Sequence, residues 1–484
     1  FGGTDDPAGI TVSNTMALGG TLTGNFVENA PSFGSKYKFA TAGSFAGGFE
    51  TIAVEVNGVV QHLLRGRTVI EGDPTAYLLI APASYTQMAL NQNQSNVALA
   101  LNSFIPPSSV ISVEGNDSYA VSLALDSLTA SQYPNAFQQI CPALYSSFST
   151  TAFNIANAQN QEILQRLGNI RVAGTGFNTM GLNESPIQDD NKDALSHGKD
   201  VLIPSVDNHW GIYVDGNGIF ANVNINNQLP GYNAESGGVT LGGTYKWNET
   251  FSTGLYAGYQ GMQSKQNGGS SIIDNSARFG CFGTYQRGGV FVNAILGGDS
   301  HAYQVSRNIA FPGINRTATS TPTSGELDSL LAVGYDVKRG NFTFGPISSL
   351  QYTYLGLQPF NESGAQSLNL NVQSQNAESL IYSLGTHCFY NWQINKNVLV
   401  TPQVSLSWQH EFLQNPYAIN SSLQGGGGTF NYTTTAPLRD SVYTGVGFTV
   451  NFAKKYDASF FYNTTSGNSN LMSQNIFTSL GVKF

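Results

Sequence analysis

The run LMSQNIFTSLGVKF, residues 471–484, alternates in polarity over most of its length. Successive side chains of an extended strand point to opposite faces. Ile476, Thr478, Leu480, Val482 and Phe484 therefore share one side, and Phe477, Ser479, Gly481 and Lys483 the other. A strand with one nearly all-apolar face, ending on an aromatic with no tail after it, is the expected closing strand of a bacterial outer-membrane barrel. Lipid would lie on one side of it and a polar lumen on the other.

The same alternation recurs from about Trp210 onward. In 397–413, Val398, Val400, Val404, Leu406, Trp408 and Phe412 oppose Thr401, Gln403, Ser405, Ser407, Gln409 and Glu411. In 439–452, Val442, Val446, Phe448, Val450 and Phe452 oppose Ser441, Tyr443, Gly445, Gly447, Thr449 and Asn451. Strands are expected near 210–223, 237–247, 251–263, 275–287, 289–305, 325–339, 341–357, 378–394, 397–413, 439–452, 456–464 and 472–484. That is about twelve, the even number a bacterial single-chain barrel requires. Turns at 287–289, 340–341, 395–397 and 453–455 are short, whereas 306–324, 359–377 and 414–438 are long. Short periplasmic turns alternating with long outer loops fit an all-β, antiparallel transmembrane barrel of residues 207–484.

Composition agrees without deciding. Charged residues are 11% of the chain, against about a quarter in soluble domains. Aromatics are 12%, glycines number 54, and mean hydropathy is only −0.14. No apolar run reaches the roughly 18 residues of a membrane helix. A Gly-rich soluble β protein has the same composition. The net charge of −9 and the lack of a basic stripe argue against nucleic-acid binding. Cys141, Cys281 and Cys388 are scattered, so neither a disulfide framework nor a metal clip is expected, and no cofactor is implied.

The period changes over 125–172. Pro134 and Pro142 can each open a helix, and Phe137, Cys141, Leu144, Phe148, Ile155, Leu164 and Leu167 recur at helical spacing. The segment AFNIANAQNQEILQRL, 152–167, lacks Pro and Gly until Gly168. The polar stretch 174–209 reads as a linker, so 128–206 forms a helical segment and linker. Residues 1–127 look like short strands with Gly, Asn and Ser turns; a solenoid end and a small sandwich fit equally well.

The order of these parts resembles the monomeric (type Va) autotransporters over nearly the whole chain. AYLLIAPASYTQMALNQNQSNVALALNSF (76–104) looks like a passenger's C-terminal junction, and LDSLTASQYPNAFQQICPALYSSFSTTAF (125–153) is similar to the pre-barrel segment. A helix ending in QRLGNIR (165–171) follows, and then a barrel opening with HWGIYVDGNG (209–218). The resemblance implies an outer-membrane translocator that secretes or displays its own N-terminal passenger at the cell surface. It implies a monomer inserted into the bilayer by the barrel-assembly machinery with periplasmic chaperones. It also implies a helix left in the lumen, with Asn157, Asn160, Glu162, Arg166 and Arg171 meeting the polar wall, and Phe484 as the assembly signal. About eight strands leave room only for side chains and about sixteen leave an open channel, so about twelve should accept one helix roughly 10–12 Å across. Some family members cut themselves within this helix at an Asn-Asn pair. Alignment on RLGNIR puts Gln161-Glu162 at that bond, with Asn160 one residue early, so self-cleavage is not expected here.

Trp210, Trp247, Trp392 and Trp408 are expected in interfacial girdles, with His387 facing the lumen and His410 the interface. GGDSH, 297–301, contains the Gly-Asp-Ser of one esterase class, but it falls within an expected strand with no helix after it. No enzyme is expected and no catalytic residue is assigned. A solute-conducting porin and a soluble secreted adhesin or esterase remain the alternatives.

Overall fold

A two-faced strand must hide one face and pair both edges, and closing a sheet into a cylinder removes the edges altogether. The computed structural model describes residues 9–27, 29–72, 74–112, 115–172, 209–224, 231–266, 268–435, 439–468 and 471–484. Twelve strands close a barrel: β1 (Trp210–Val223), β2 (Tyr232–Lys246), β3 (Phe251–Gln266), β4 (Ser271–Arg287), β5 (Val290–Phe311), β6 (Thr323–Tyr335), β7 (Phe342–Leu357), β8 (Gln375–Tyr390), β9 (Val398–Glu411), β10 (Asp440–Phe452), β11 (Tyr456–Asn468) and β12 (Leu471–Lys483). Each pairs antiparallel with the next, and β12 closes on β1 from Leu471 beside Val223 to Lys483 beside Gly211. At the seam the Phe484 N–H donates to Trp210 O at 3.1 Å, and the Trp210 N–H returns to Phe484 O at 3.3 Å. All twelve expected strands fall on these elements.

The two ends of the barrel differ. At one end tight turns join the strands. At the other, the three stretches expected as long loops carry strands of their own. Ile314–Ser320 folds back on the far end of β5. Phe360–Asn361, Leu370–Val372, Ala418–Leu423 and Gly426–Thr433 form a small sheet at the barrel mouth. Its apolar side chains, including Leu370, Ile419, Phe430 and Tyr432, are buried. These segments alternate too briefly to be read as strands from the sequence, and protein rather than lipid covers them.

The N-terminal region resolves the choice left open above. Ile10–Leu18 runs parallel to Lys36–Gly47 with Ile10 beside Ala40, and Thr21–Phe26 runs parallel to Thr51–Val56 with Thr21 beside Thr51. Both offsets are thirty residues, the rung of a parallel solenoid rather than the hairpins of a sandwich. Leu18, Phe26, Val54, Leu78 and Ile80 fill its interior. The antiparallel strands Leu64–Glu71 and Thr75–Pro82 end the coil.

Beyond Pro82 the reading of short strands is corrected. Helices α1 (Gln92–Leu101) and α2 (Asp117–Asp126) occupy that stretch, followed by α3 (Tyr133–Ile140) and α4 (Ser147–Val172). Asn, Ser and Val are indifferent helix formers, which hides α1 from composition. Its start is marked by Asn91, whose side-chain oxygen accepts the Gln94 N–H. Asn116 does the same for Tyr119 at α2. Asp126, fully buried, ties α2 to the solenoid: Arg65 and Arg67 donate to it at 2.5 and 2.9 Å, and the Tyr85 hydroxyl at 2.8 Å. The expected linker at 174–209 lies almost wholly outside the described residues.

Candidate functional site: a helix in the barrel lumen

With 26 residues, α4 is about 39 Å long at 1.5 Å per residue, enough to pass through a hydrocarbon layer of about 30 Å. No described helix is apolar enough to cross a membrane, and α4 is instead wrapped by the barrel wall. Near its start the Thr150 and Tyr232 hydroxyls lie 2.6 Å apart, and those of Ser149 and Tyr417 3.1 Å apart. Near its end Arg171 donates to Asn293 at 3.2 Å and to Asp336 at 3.4 Å, with its guanidinium 3.6 Å from the Phe291 ring centre. The helix therefore runs from the long-loop end to the short-turn end.

Between these ends its polar side chains are bonded around the lumen. The Asn157 amide donates to Gln409 at 3.4 Å and that of Asn160 to Asp328 at 2.6 Å. Glu162 accepts from Asn217 at 3.1 Å and from Asn475 at 2.9 Å. Gln165 donates to Tyr443 and Asn463 at 2.9 and 2.8 Å. Arg166 pairs with Asp215 at 2.8 Å, bonds Ser479, and lies 3.4 Å over the Tyr213 ring. With Gln159 donating to Gln260 at 3.4 Å, seven strands hold this stretch of helix, from both sides of the seam. A buried charge is tolerated when it is paired or hydrogen-bonded: Arg166 and Arg171 are paired with Asp215 and Asp336, whereas Glu162 and Asp328 are held by hydrogen bonds from amides and a hydroxyl.

The lumen is less watery than its alternation implied. Ile163, Leu164, Leu167 and Ile170 pack against Tyr213, Tyr256, Phe282, Ile295 and Leu330 on the wall. Inward glycines make room for these rings: a Cβ on Gly242 would stand 2.1 Å from the Tyr213 ring, and one on Gly254 2.2 Å from Phe282. The register sets each glycine directly beside an aromatic on the neighbouring strand, a pairing that the sequence alone does not show. On the side of β7–β11 a cavity of about 70 Å³ remains beside Gln165 and Gly168.

At the long-loop mouth the helices dock on the loops. Arg307 donates to both Glu362 oxygens at 2.7 and 2.5 Å, fully buried, and the Tyr145 hydroxyl bonds the same carboxylate. Asp117 pairs with Arg316 at 2.7 Å. Asn93 donates to Thr433 O at 2.9 Å and accepts its N–H at 2.8 Å, as a strand neighbour would. One hydrophobic cluster runs from Tyr85, Leu101 and Phe137 through Phe148 to Tyr303 and Ile309 of β5. The sequence showed none of this, because the partners lie 55 to 340 residues apart.

The outer wall is a continuous apolar surface. Leu255, Phe279, Leu331, Val404, Leu406 and Leu480 are each at least half exposed. Trp210 and Trp247 flank Tyr245, with ring centres 4.8 and 4.9 Å away. They lie with Trp392 at the short-turn end, while Trp408 lies toward the long loops; all four indoles are exposed. His387 faces the lumen and meets Asp336 at 2.7 Å, and His410 is partly exposed beside Trp408 and Phe412. In the GDS sequence Ser300 is exposed outward while Asp299 and His301 face inward, so the wall itself separates them.

A family model described as the autotransporter beta-domain matches residues 212–463. Among solved structures, the chain is similar to the translocator domain of autotransporter NalP from Neisseria meningitidis, at 12% identity and TM-score 0.46, over 57% of this chain and 88% of that one. It is similar to the beta domain of the Bordetella autotransporter Brka at 14% identity and TM-score 0.43, over 57% and 100%. It is also similar to the transport unit of AIDA-I from Escherichia coli at 11% identity and TM-score 0.40, over 58% and 92%. No curated protein matches the chain.

Proposed function

The chain belongs to the autotransporter family, as an outer-membrane β-barrel translocator of a passenger domain, and we propose that α4 is the plug left in its pore once the passenger has crossed. The observation that carries this reading is a single helix bonded to nine of the twelve barrel strands, whose N-terminal end leads through α3, α2 and α1 to the solenoid. On this reading residues 9–146 form the base of the passenger on the cell surface. The long-loop end then faces outward and the short-turn end the periplasm.

Insertion by the barrel-assembly machinery, with periplasmic chaperones guarding the unfolded chain, accounts for an outer wall that no soluble state could expose. Phe484, half exposed beside the seam, suits a signal read before the barrel closes. The unit acts as a monomer and a conduit, without catalytic chemistry of its own. A porin would leave its lumen free for solute, which a bonded helix does not.

Deleting Ser147–Arg171 should raise single-channel conductance in planar bilayers severalfold. An unchanged conductance rules the plug out. Shaving intact cells with protease should remove the solenoid and leave the barrel; protection of both would place the N-terminal region inside.

A further inference from the structure

We propose that the outer wall carries a binding site for one phospholipid, with an acyl chain in a groove across β2–β5 and the phosphate at Arg287. The proposal rests on the outer wall facing lipid, and adds a specific occupant to it.

A groove of about 740 Å³ opens on that wall, between the aromatic cluster of Trp210, Tyr245 and Trp247 and the aliphatic pair Leu255 and Leu296. Strand register explains it. Tyr245 lies beside Thr253, Thr253 beside Gly283, and Gly283 beside Ala294, so one row across four strands falls from an aromatic to nearly no side chain. The neighbouring row keeps Leu255 and Leu296 standing, 69% and 51% exposed. The Trp247 indole N–H donates to Thr253 Oγ1 at 2.9 Å, which fixes one bank of the groove.

The outward positions of β4 continue past the floor through Tyr285 to Arg287. Arg287 is exposed and has no ion pair among the described residues. From Cys281 to Arg287 is about 20 Å at roughly 3.3 Å per residue, a length suited to an acyl chain with its headgroup at the interface. An apolar floor continuous with the lipid-facing wall, with indoles on one bank and, beyond Tyr285 on the same strand face, a cation without an ion pair among the described residues, is complementary to an apolar tail that ends in phosphate.

The four tryptophans divide into natural reporters: Trp210 and Trp247 border the groove, while Trp392 and Trp408 lie away from it. The full chain is prepared as Trp392→Phe/Trp408→Phe and as Trp210→Phe/Trp247→Phe. Phosphatidylglycerol with brominated acyl chains, a fluorescence quencher, is then titrated into detergent micelles of each. The groove pair should reach half-quenching at a brominated-lipid fraction at least tenfold lower than the other pair. Gly283→Leu or Ala294→Leu, each filling the groove from the outer face, should abolish that advantage. Arg287→Gln should reduce it severalfold, as should replacing the lipid by the matching brominated diacylglycerol, which lacks phosphate.

Equal quenching of the two pairs overturns the proposal, as does an advantage that survives Gly283→Leu. So does self-association that Gly283→Leu abolishes, which would make a second copy the occupant. Heat-modifiable gel mobility establishes that each variant is folded. None of these outcomes bears on the plug, which the conductance of the α4 deletion tests separately.

Discussion

The inner and outer walls of this barrel are built on one backbone, yet they obey opposite rules. Outside, Leu406, Val404 and Leu480 stand half exposed, tolerable only because the surrounding medium is apolar. Inside, Asp215, Asp328 and Asp336 are buried, and each meets a donor from α4. Adjacent residues of one strand therefore face different solvents: lipid on one side, another piece of the same chain on the other. Whatever is put on the outer wall is judged by hydrocarbon, and whatever is put on the inner wall by its fit to the helix.

The largest effect should come from a charge placed in lipid. Leu406→Arg should cost about 2–4 kcal/mol near mid-membrane, read by urea unfolding in liposomes. Ser349→Asn, a small polar change beside the inner cavity, should cost clearly less; equal losses would erase the distinction between the walls.

Next comes a broken bond to the helix. Asp215→Asn weakens a buried charged pair with Arg166, and a hydrogen bond to a charged group is worth about 1.5–3 kcal/mol. The same unfolding assay should show a loss within that range, accompanied by noisier, higher single-channel conductance. Quiet, unchanged channels would mean that Arg166 does not hold the plug.

Two neighbouring glycines give the sharpest contrast. Gly242→Val drives a methyl into the Tyr213 ring, and overpacking of this kind costs about 1–3 kcal/mol. Gly243→Val, one residue on and facing outward, meets only Gly211 O at 3.8 Å and should leave stability nearly unchanged. Similar losses at both positions would show that side-chain room on the inner wall is not the reason for Gly242.

The smallest effect concerns the docked helices. Burial opposes ionisation of Asp117, but hydrogen bonds from Arg316 and Ser367 outweigh it and hold the carboxyl below its ordinary value. A carboxylate with a depressed folded-state pKa stabilises above the unfolded value of about 3.9, and that contribution is lost as pH falls through the folded value. Protease protection of 85–146 should therefore weaken below about pH 4, by the 0.2–1 kcal/mol typical of a partly exposed pair. Asp117→Asn should remove this pH dependence while lowering protection slightly at neutral pH; an unchanged acid profile would assign it to other groups.

The barrel was legible because period-2 alternation is a local property. Each strand from Trp210 onward announces its two faces within ten or so residues, and the final strand does so down to Phe484. The helix in the pore was legible in part: Ala152 to Leu167 lacks breakers, and the Asn, Gln and Arg residues from Ala152 to Arg171 suit a polar wall. Its start five residues earlier, at Ser147, was not: the first turn is held by contacts with distant residues, Ser149 with Tyr417 and Thr150 with Tyr232. Helices α1 and α2 were read as strands, since Asn, Ser and Val leave propensity weak and only the caps at Asn91 and Asn116 marked them.

What the chain's pattern alone established is therefore a closed sheet with a lipid face and a helix suited to its lumen, because both follow from side-chain periodicity. What required the folded molecule is every fact that joins distant residues. The thirty-residue rung needs Ile10 beside Ala40, the docking of helices on the long-loop mouth needs Arg307 beside Glu362, and the ring pockets need Gly242 opposite Tyr213. Periodicity says which way a side chain points; only closure of the barrel and docking of the helices on its long-loop mouth say what it meets.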